Sequence, residues 1–298
     1  MNKLLLYPLL IVLASSSYGI LSTIIKVAMH DGFSTSEAVT SQYAVGFFLA
    51  AILFICTQRS LPKLNGKGFL ILCIGGLLTG TTGIVYGQAV HYLPASVAVV
   101  MLFQFTWIGV LLDCAVHRRK PKRSEVFSMI ILIIGTILAA GLIDADIAGL
   151  DWRGWAYGFA SAISFACFMQ FNSKQVDGVN PISRMTIMAF FSLVIISVFQ
   201  SPEIIYTGTL FTTDLLYYGL ALGFFGIILP ILLFSIAVPK VGGALASILS
   251  ATELPVAILA SVIVLHEQLT LIQVLGIVIV LAGMTLPTIL EQRRKPLA

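Results

Sequence analysis

Residues 69–94, FLILCIGGLLTGTTGIVYGQAVHYLP, and residues 217–242, YYGLALGFFGIILPILLFSIAVPKVG, decide how this chain is read. Each is almost free of charge and longer than the roughly 20 residues a helix needs to cross the hydrocarbon core of a bilayer. At an offset of 148 residues one lies on the other without a gap. Gly75 falls on Gly223 and Ala89-Val90 on Ala237-Val238. Carried on through residues 138 and 286, the same offset sets Ala98 on Ala246 and Gly135 on Gly283. An apolar composition produces some identities by chance, but the predicted helix ends also keep register. Each copy then holds five spans. An odd number forces the second copy to insert upside down, and inverted repeats point to a transporter with its site at the pseudo-two-fold interface.

The rest of the chain agrees. Of 298 residues, 58% are hydrophobic and 10% charged, far from the roughly 25% charged of soluble domains. The mean hydropathy is +1.02. The net charge of +4 gives no reason to expect a nucleic-acid partner. Cys56, Cys73, Cys114 and Cys167 are scattered through apolar runs without CxxC spacing, so neither a disulfide framework nor a metal site is expected. No small-residue cleavage site follows the first apolar run, which reads as a span and not a signal peptide.

Charges delimit the spans. Uncharged stretches cover residues 4–25, 38–58, 68–112, 126–143, 154–173, 185–202, 215–239 and 268–290, and 241–266 is interrupted only by Glu253. The long stretch 68–112 divides at His91-Tyr92-Leu93-Pro94, since proline suits the first turn of a new helix. The expected fold class is therefore an all-α polytopic membrane protein, ten transmembrane helices as two inverted five-helix repeats, residues 1–145 and 146–298. With the N-terminus in the cytoplasm, the Lys and Arg residues fall inside except Lys26 and Arg153, as the positive-inside rule asks. Both termini are then cytoplasmic and the loop at 144–152 is outside. The basic run from His117 to Arg123 is a topology anchor. Ser34 with Glu37 has capping-box spacing, and Asn180-Pro181 reads as a cap opening a helix.

Glu253 is the most informative single residue. It stands near the middle of the predicted ninth span, where a carboxylate costs roughly 2.5–3.5 kcal/mol and faces a bundle interior or a watery cavity. Proton uptake would relieve that cost. Lys26 sits too far along its own helix, roughly 13 Å from the middle at 1.5 Å per residue, to be a static partner. Gly243, Ala246, Ser250, Glu253 and Ala257 repeat at helical spacing, a stripe of small residues that suits close packing or ligand space. Gly76, Gly80, Gly83 and Gly87 share a face of the third span, where packing is the first reading. Gly219, Gly223, Gly226 and Pro230 mark a kink or hinge in the eighth. Tyr18 and Ser22, with Ser15 and Lys26, form a stripe on the first span; Ser164 and Phe168, with Ser161 and Asn172, form one on the sixth. Hydroxyls also bond within their own helix. Gln42, Tyr86, Gln104 and Trp107 complete the candidate substrate-binding set; Trp107 aligns with Pro255 at the repeat offset.

No GxxxxGK[ST], HExxH or nucleophile elbow is present, and the four histidines sit at helix ends, so neither enzyme activity nor a cofactor or metal is expected. Two rival readings stay open: a translocator of lipids or lipid-linked sugars, and a non-transporting sensor or scaffold. Short loops speak against a scaffold, which needs exposed surface.

Several stretches together resemble the EamA-type family of the drug/metabolite transporter superfamily: Glu253-Leu254-Pro255-Val256-Ala257, then Leu265-His266-Glu267-Gln268-Leu269-Thr270, then 276–283, with a first-copy counterpart from Tyr92-Leu93-Pro94-Ala95 to Gly135. Members typically place Glu directly before Pro, where Leu254 intervenes here, and carry Arg early in the second helix, where Gln42-Tyr43 stands. Glu267, at a helix end, reads as a cap. The resemblance implies alternating-access transport, often export, of amino acids or similar metabolites across the plasma (inner) membrane. It also implies a cavity among the first, third, fourth, sixth, eighth and ninth helices. The expected partners are the small-molecule substrate, the bilayer and protons, the protein being a monomer or homodimer.

Overall fold

The structure is a computed structural model that describes residues 3–58, 62, 64–93, 95–139, 151–200, 203–266 and 270–294. Pro94, the repeat boundary at 145/146, residues 144–150 of the expected outer loop, and Glu267 lie outside the described residues. The first copy holds α1 (Lys3–His30), α2 (Thr35–Thr57), α3 (Gly66–Tyr92), α4 (Ala95–Phe103), α5 (Phe105–Val116) and α6 (Arg123–Ala139). The second holds α7 (Trp152–Ser173), α8 (Pro181–Gln200), two single turns α9 (Glu203–Tyr206) and α10 (Thr209–Thr212), then α11 (Leu215–Gly223), α12 (Leu229–Val241), α13 (Gly243–Leu249), α14 (Glu253–Leu265) and α15 (Leu271–Arg294). Seven helices among the described residues are long and apolar enough to cross a membrane, and Leu271–Leu286 is a shorter apolar one.

Local chemistry sets the helix ends. Glu37 N–H donates to Ser34 Oγ while Ser34 N–H donates to the Glu37 carboxylate, a reciprocal box that opens α2. Asn180 accepts from Ser183 N–H ahead of Pro181 and opens α8. Asn65 and Asp151 do the same for α3 and α7.

The boundaries recur at the 148-residue offset: α3 maps on the rod formed by α11 and α12, α4–α5 on α13–α14, and α6 on α15. Packing is exchanged in the same way. The α3 helix lies against α7 and α8 of the other copy, whereas the α11–α12 rod lies against α1 and α2. The α6–α15 contact shows the exchange atom by atom. A Cβ on Gly135 would meet Ile279 and Val280, and a Cβ on Gly283 would meet Ile131 and Leu132, their counterparts at the same offset.

The glycine stripe of α3 divides in two. Gly76 and Gly80 lie so close to α8 that a Cβ would come within 2.4 Å of Met188 O and 2.8 Å of Ser192 O, and Ser192 Oγ donates to Gly76 O. Gly83 faces Tyr43 instead.

Both copies break their fourth helix at the same register, by different chemistry. In the first copy, Gln104 N–H turns to Met101 O, and Gln104 Nε2 takes the Val100 carbonyl that is freed. Trp107 Nε1 holds Gln104 Oε1 at 2.7 Å. In the second, Ser250–Thr252 form a 3₁₀ turn just before Pro255, which lacks an N–H. The kink read at Pro230 is a π-turn over Phe224–Ile228. Leu229 N–H bonds Phe224 O, and Ser17 Oγ on α1 donates to the freed Phe225 carbonyl.

The basic run is pinned at its centre. Arg119 donates to Asp113 Oδ2 at 2.6 Å and to Glu125 Oε2 at 2.8 Å, and both carboxylates are buried. Their hydrogen bonds hold the guanidinium's pKa above its ordinary value, so it stays charged. Replacing Arg119 by Ala takes the guanidinium from two buried carboxylates and leaves Asp113 only His117 at 3.4 Å and Glu125 the Lys122 N–H, a loss of roughly 1–3 kcal/mol. Thermal unfolding in detergent should show a clearly lower midpoint for Arg119→Ala, with Arg119→Lys recovering part of it. An unchanged midpoint would show that water replaces the clamp.

Candidate functional site

A cavity of about 100 Å³ lies where the copies meet. From α1 it takes Tyr18, Gly19, Ser22 and Ile25; from α2, Val39, Gln42 and Tyr43; from α3, Thr79, Thr82, Gly83 and Tyr86. The α4 helix gives Val99, Leu102 and Phe103, α7 gives Phe165, and α14 gives Glu253 and Ala257. Apart from Phe165, which lies past the midpoint of α7, these positions are at the middle of their helices or nearer the α1–α2 turn.

Glu253 is the first residue of α14, directly after the 3₁₀ turn. The rod continues through this turn, the Glu253 N–H bonding Ser250 O and Ala251 O. Its side chain is half-buried and reaches the cavity, whose wall also holds Tyr18 and Tyr86. Among the described residues no Lys or Arg forms an ion pair with it. Gly19 makes this approach possible, since a Cβ there would stand 2.5 Å from Glu253 O. Tyr43 donates to Thr79 O at 2.9 Å and fixes α2 on α3 beside Gly83. Gln42 lies against Gly226 of the π-turn.

An aromatic cluster closes the cavity on its far side. Phe165 packs edge-on against Phe105 at 4.7 Å and Tyr18 at 6.0 Å, and Phe168 continues it to Phe234. Phe168 and Phe234 are fully buried.

Of the residues singled out from the sequence, Glu253, Tyr18, Ser22, Gln42 and Tyr86 meet on the cavity wall. The other five stand elsewhere. Ser164 donates to Leu78 O and ties α7 to α3. Phe168 belongs to the aromatic cluster, Gln104 and Trp107 hold the helix break, and Ser250 is buried with its hydroxyl unpartnered. Tyr43, Thr79, Thr82 and Gly83 join the wall without having been placed there. The signal for Gly83 was its helical spacing from Tyr86, whereas Tyr43 stands directly beside Gln42 and shares no face with it by spacing.

Two helical copies that exchange contacts around a cavity, with apolar helices of spanning length, make a multi-pass membrane protein. The pattern of the EamA-like transporter family matches residues 5–141 and again 152–289, so the chain belongs to that family of membrane transporters, which is not a family of enzymes. A solved crystal structure of a protein 13% identical in sequence superimposes over 99% of both chains with a TM-score of 0.72, which shows a shared fold. No curated protein matches the chain.

Proposed function

We propose that this protein is a secondary transporter that exports amino acids or similar small amphipathic metabolites across the plasma membrane by alternating access, coupled to protons through Glu253. In this reading ten helices span the bilayer as two inverted five-helix units, residues 1–145 and 146–298, with both termini cytoplasmic. The observation that carries it is a half-buried carboxylate on a cavity wall built from both copies, with two tyrosines on the same wall. Such a group can hold a substrate amine in one step and a proton in another. Tyr18, Ser22, Gln42 and Tyr86 supply hydrogen-bonding groups around it, and Val39, Leu102 and Phe103 supply apolar surface for a side chain. Gln104, Trp107, Ser164, Phe168 and Ser250, also drawn as contacts from the sequence, would act through the helix break and the packing around the cavity.

The test is counterflow in proteoliposomes loaded with mixed amino acids and related metabolites, with and without an imposed pH gradient. Gradient-dependent movement of an amphipathic metabolite is expected. Movement of phospholipid or a lipid-linked sugar alone would replace this reading with the translocator.

Topology has its own check. An impermeant thiol reagent added outside should reach a cysteine placed at 146 and miss one placed at 120. The opposite pattern would sink the inverted arrangement.

A further inference from the structure

The repeat offset relates the cavity to a second place in the molecule, and that place is closed. Ser22 on the cavity wall corresponds to Gln170, Val99 to Ser247, Leu102 to Ser250, and Ala257 to Gly109. Gln170, Gly109 and Ser247 come together in the other half of the bundle, with Ser250 about one helical turn beyond Ser247. Gln170 Nε2 donates to Gly109 O at 2.9 Å, a Cβ on Gly109 would strike Ser247 Oγ, and a Cβ on Gly243 would strike the Gln170 amide. Nothing opens between them: Gln170 and Ser250 are 6% and 0% exposed.

The same half holds buried polar atoms that no protein group satisfies. Gln170 Oε1 and Ser250 Oγ have no hydrogen-bond partner, nor do the Asn172 side chain and Ser235 Oγ further along. Buried polar groups are nearly always paired. A run of unpaired ones along one side of a bundle is understandable if those atoms meet water or a ligand in another arrangement of the helices. The run leads from the aromatic cluster to a surface hollow of about 290 Å³ lined by Tyr7, Asp177, Arg184, Ser235 and Lys240, at the end of the bundle opposite the cavity.

We infer that Gln170, Ser247 and Ser250 form a second, neutral hydrogen-bonding site that opens toward the Arg184–Lys240 hollow when the first cavity shuts. The inference rests on the alternating-access reading proposed above. Its chemistry differs from that of the cavity. The counterpart of Glu253 is Phe105 and that of Tyr86 is Phe234. The site therefore offers one amide and two hydroxyls and no carboxylate, and suits an uncharged polar group such as a hydroxyl or amide, or the water that accompanies it.

Thiol accessibility tests this without a known substrate. Cys56, Cys73, Cys114 and Cys167 are replaced by Ala, and Ser250→Cys, Ser235→Cys or Ser22→Cys is introduced singly. A charged, impermeant methanethiosulfonate reagent is applied to vesicles of each orientation. Ser250→Cys and Ser235→Cys are expected to be modified at least tenfold faster from the face that bears the termini, and Ser22→Cys from the opposite face. Modification of Ser250→Cys and Ser235→Cys from neither face, or only from the face that reaches Ser22→Cys, would overturn the site. The readout involves no transport. A protein that labels as expected yet moves no solute would refute the transport reading and not the second site, and an active transporter that fails to label would refute the site alone.

Discussion

Glu253→Gln is expected to abolish the response of transport to a pH gradient while leaving substrate exchange at a rate near that of the parent protein. The amide keeps the shape of the carboxyl group and its capacity for hydrogen bonds, but it cannot bind or release a proton. If the proton and the substrate use this group in alternation, removing the titration removes the coupling and nothing else. Parallel proteoliposome assays with the inner and outer pH equal, and then one to two units apart, separate the two effects. In the parent the gradient should accelerate net movement severalfold; in the variant the two conditions should coincide. Glu253→Leu should lose exchange as well if the carboxylate also contacts a substrate amine. A Glu253→Gln protein that follows the gradient as the parent does would leave Glu253 as lining only.

Gly83→Leu should reduce transport by more than tenfold in a protein that still folds. Gly83 lines the cavity, and a Cβ there would already stand 2.6 Å from Tyr43 Oη and 2.9 Å from its ring. Leucine must therefore push Tyr43 off Thr79 O or fill the cavity itself. Neither change touches the Gly76 and Gly80 contact with α8 that holds α3 in place. Gly83→Ala should give a smaller loss, because a single methyl demands only a shift of the tyrosine. Purification in detergent as a monodisperse species, together with the transport rate, separates a blocked path from a failed fold. Parental rates in Gly83→Leu would show that substrate does not pass this wall.

Much of the frame was legible in the sequence because its signals are local. Charges and caps mark helix ends whatever the surroundings, as Ser34–Glu37 and Asn180 show, and an offset between two stretches needs no knowledge of contacts. The site was legible only in part. Periodicity tells which residues share a face but not which neighbour that face meets. In lipid both the outward and inward faces of a helix are apolar, so no amphipathic pattern separates them. The stripe of Gly243, Ala246, Ser250, Glu253 and Ala257 illustrates this. It reads as one continuous face, yet the 3₁₀ turn at Ser250–Thr252 breaks it, sending Glu253 and Ala257 to the cavity and Gly243 to Gln170. The alignment of Trp107 with Pro255 was visible, but its meaning was not. An indole–amide pair and an imino ring turn out to serve one task, interrupting the fourth helix of each copy. Tyr43 was hidden for a related reason: its hydroxyl partner is a backbone carbonyl of another helix, which leaves no trace in side-chain pattern.

The exchange of partners between the copies bears on how the chain is made. Because α3 rests on α7 and α8, the helices of the first copy leave the ribosome before the surfaces they must cover exist. During that interval the Gly76–Gly80 groove lies open to lipid or to an insertion factor, and it closes only about a hundred residues later. The two copies are therefore successive in synthesis but simultaneous in folding, and a chain truncated between them would be long enough to insert but would have nothing to fold against.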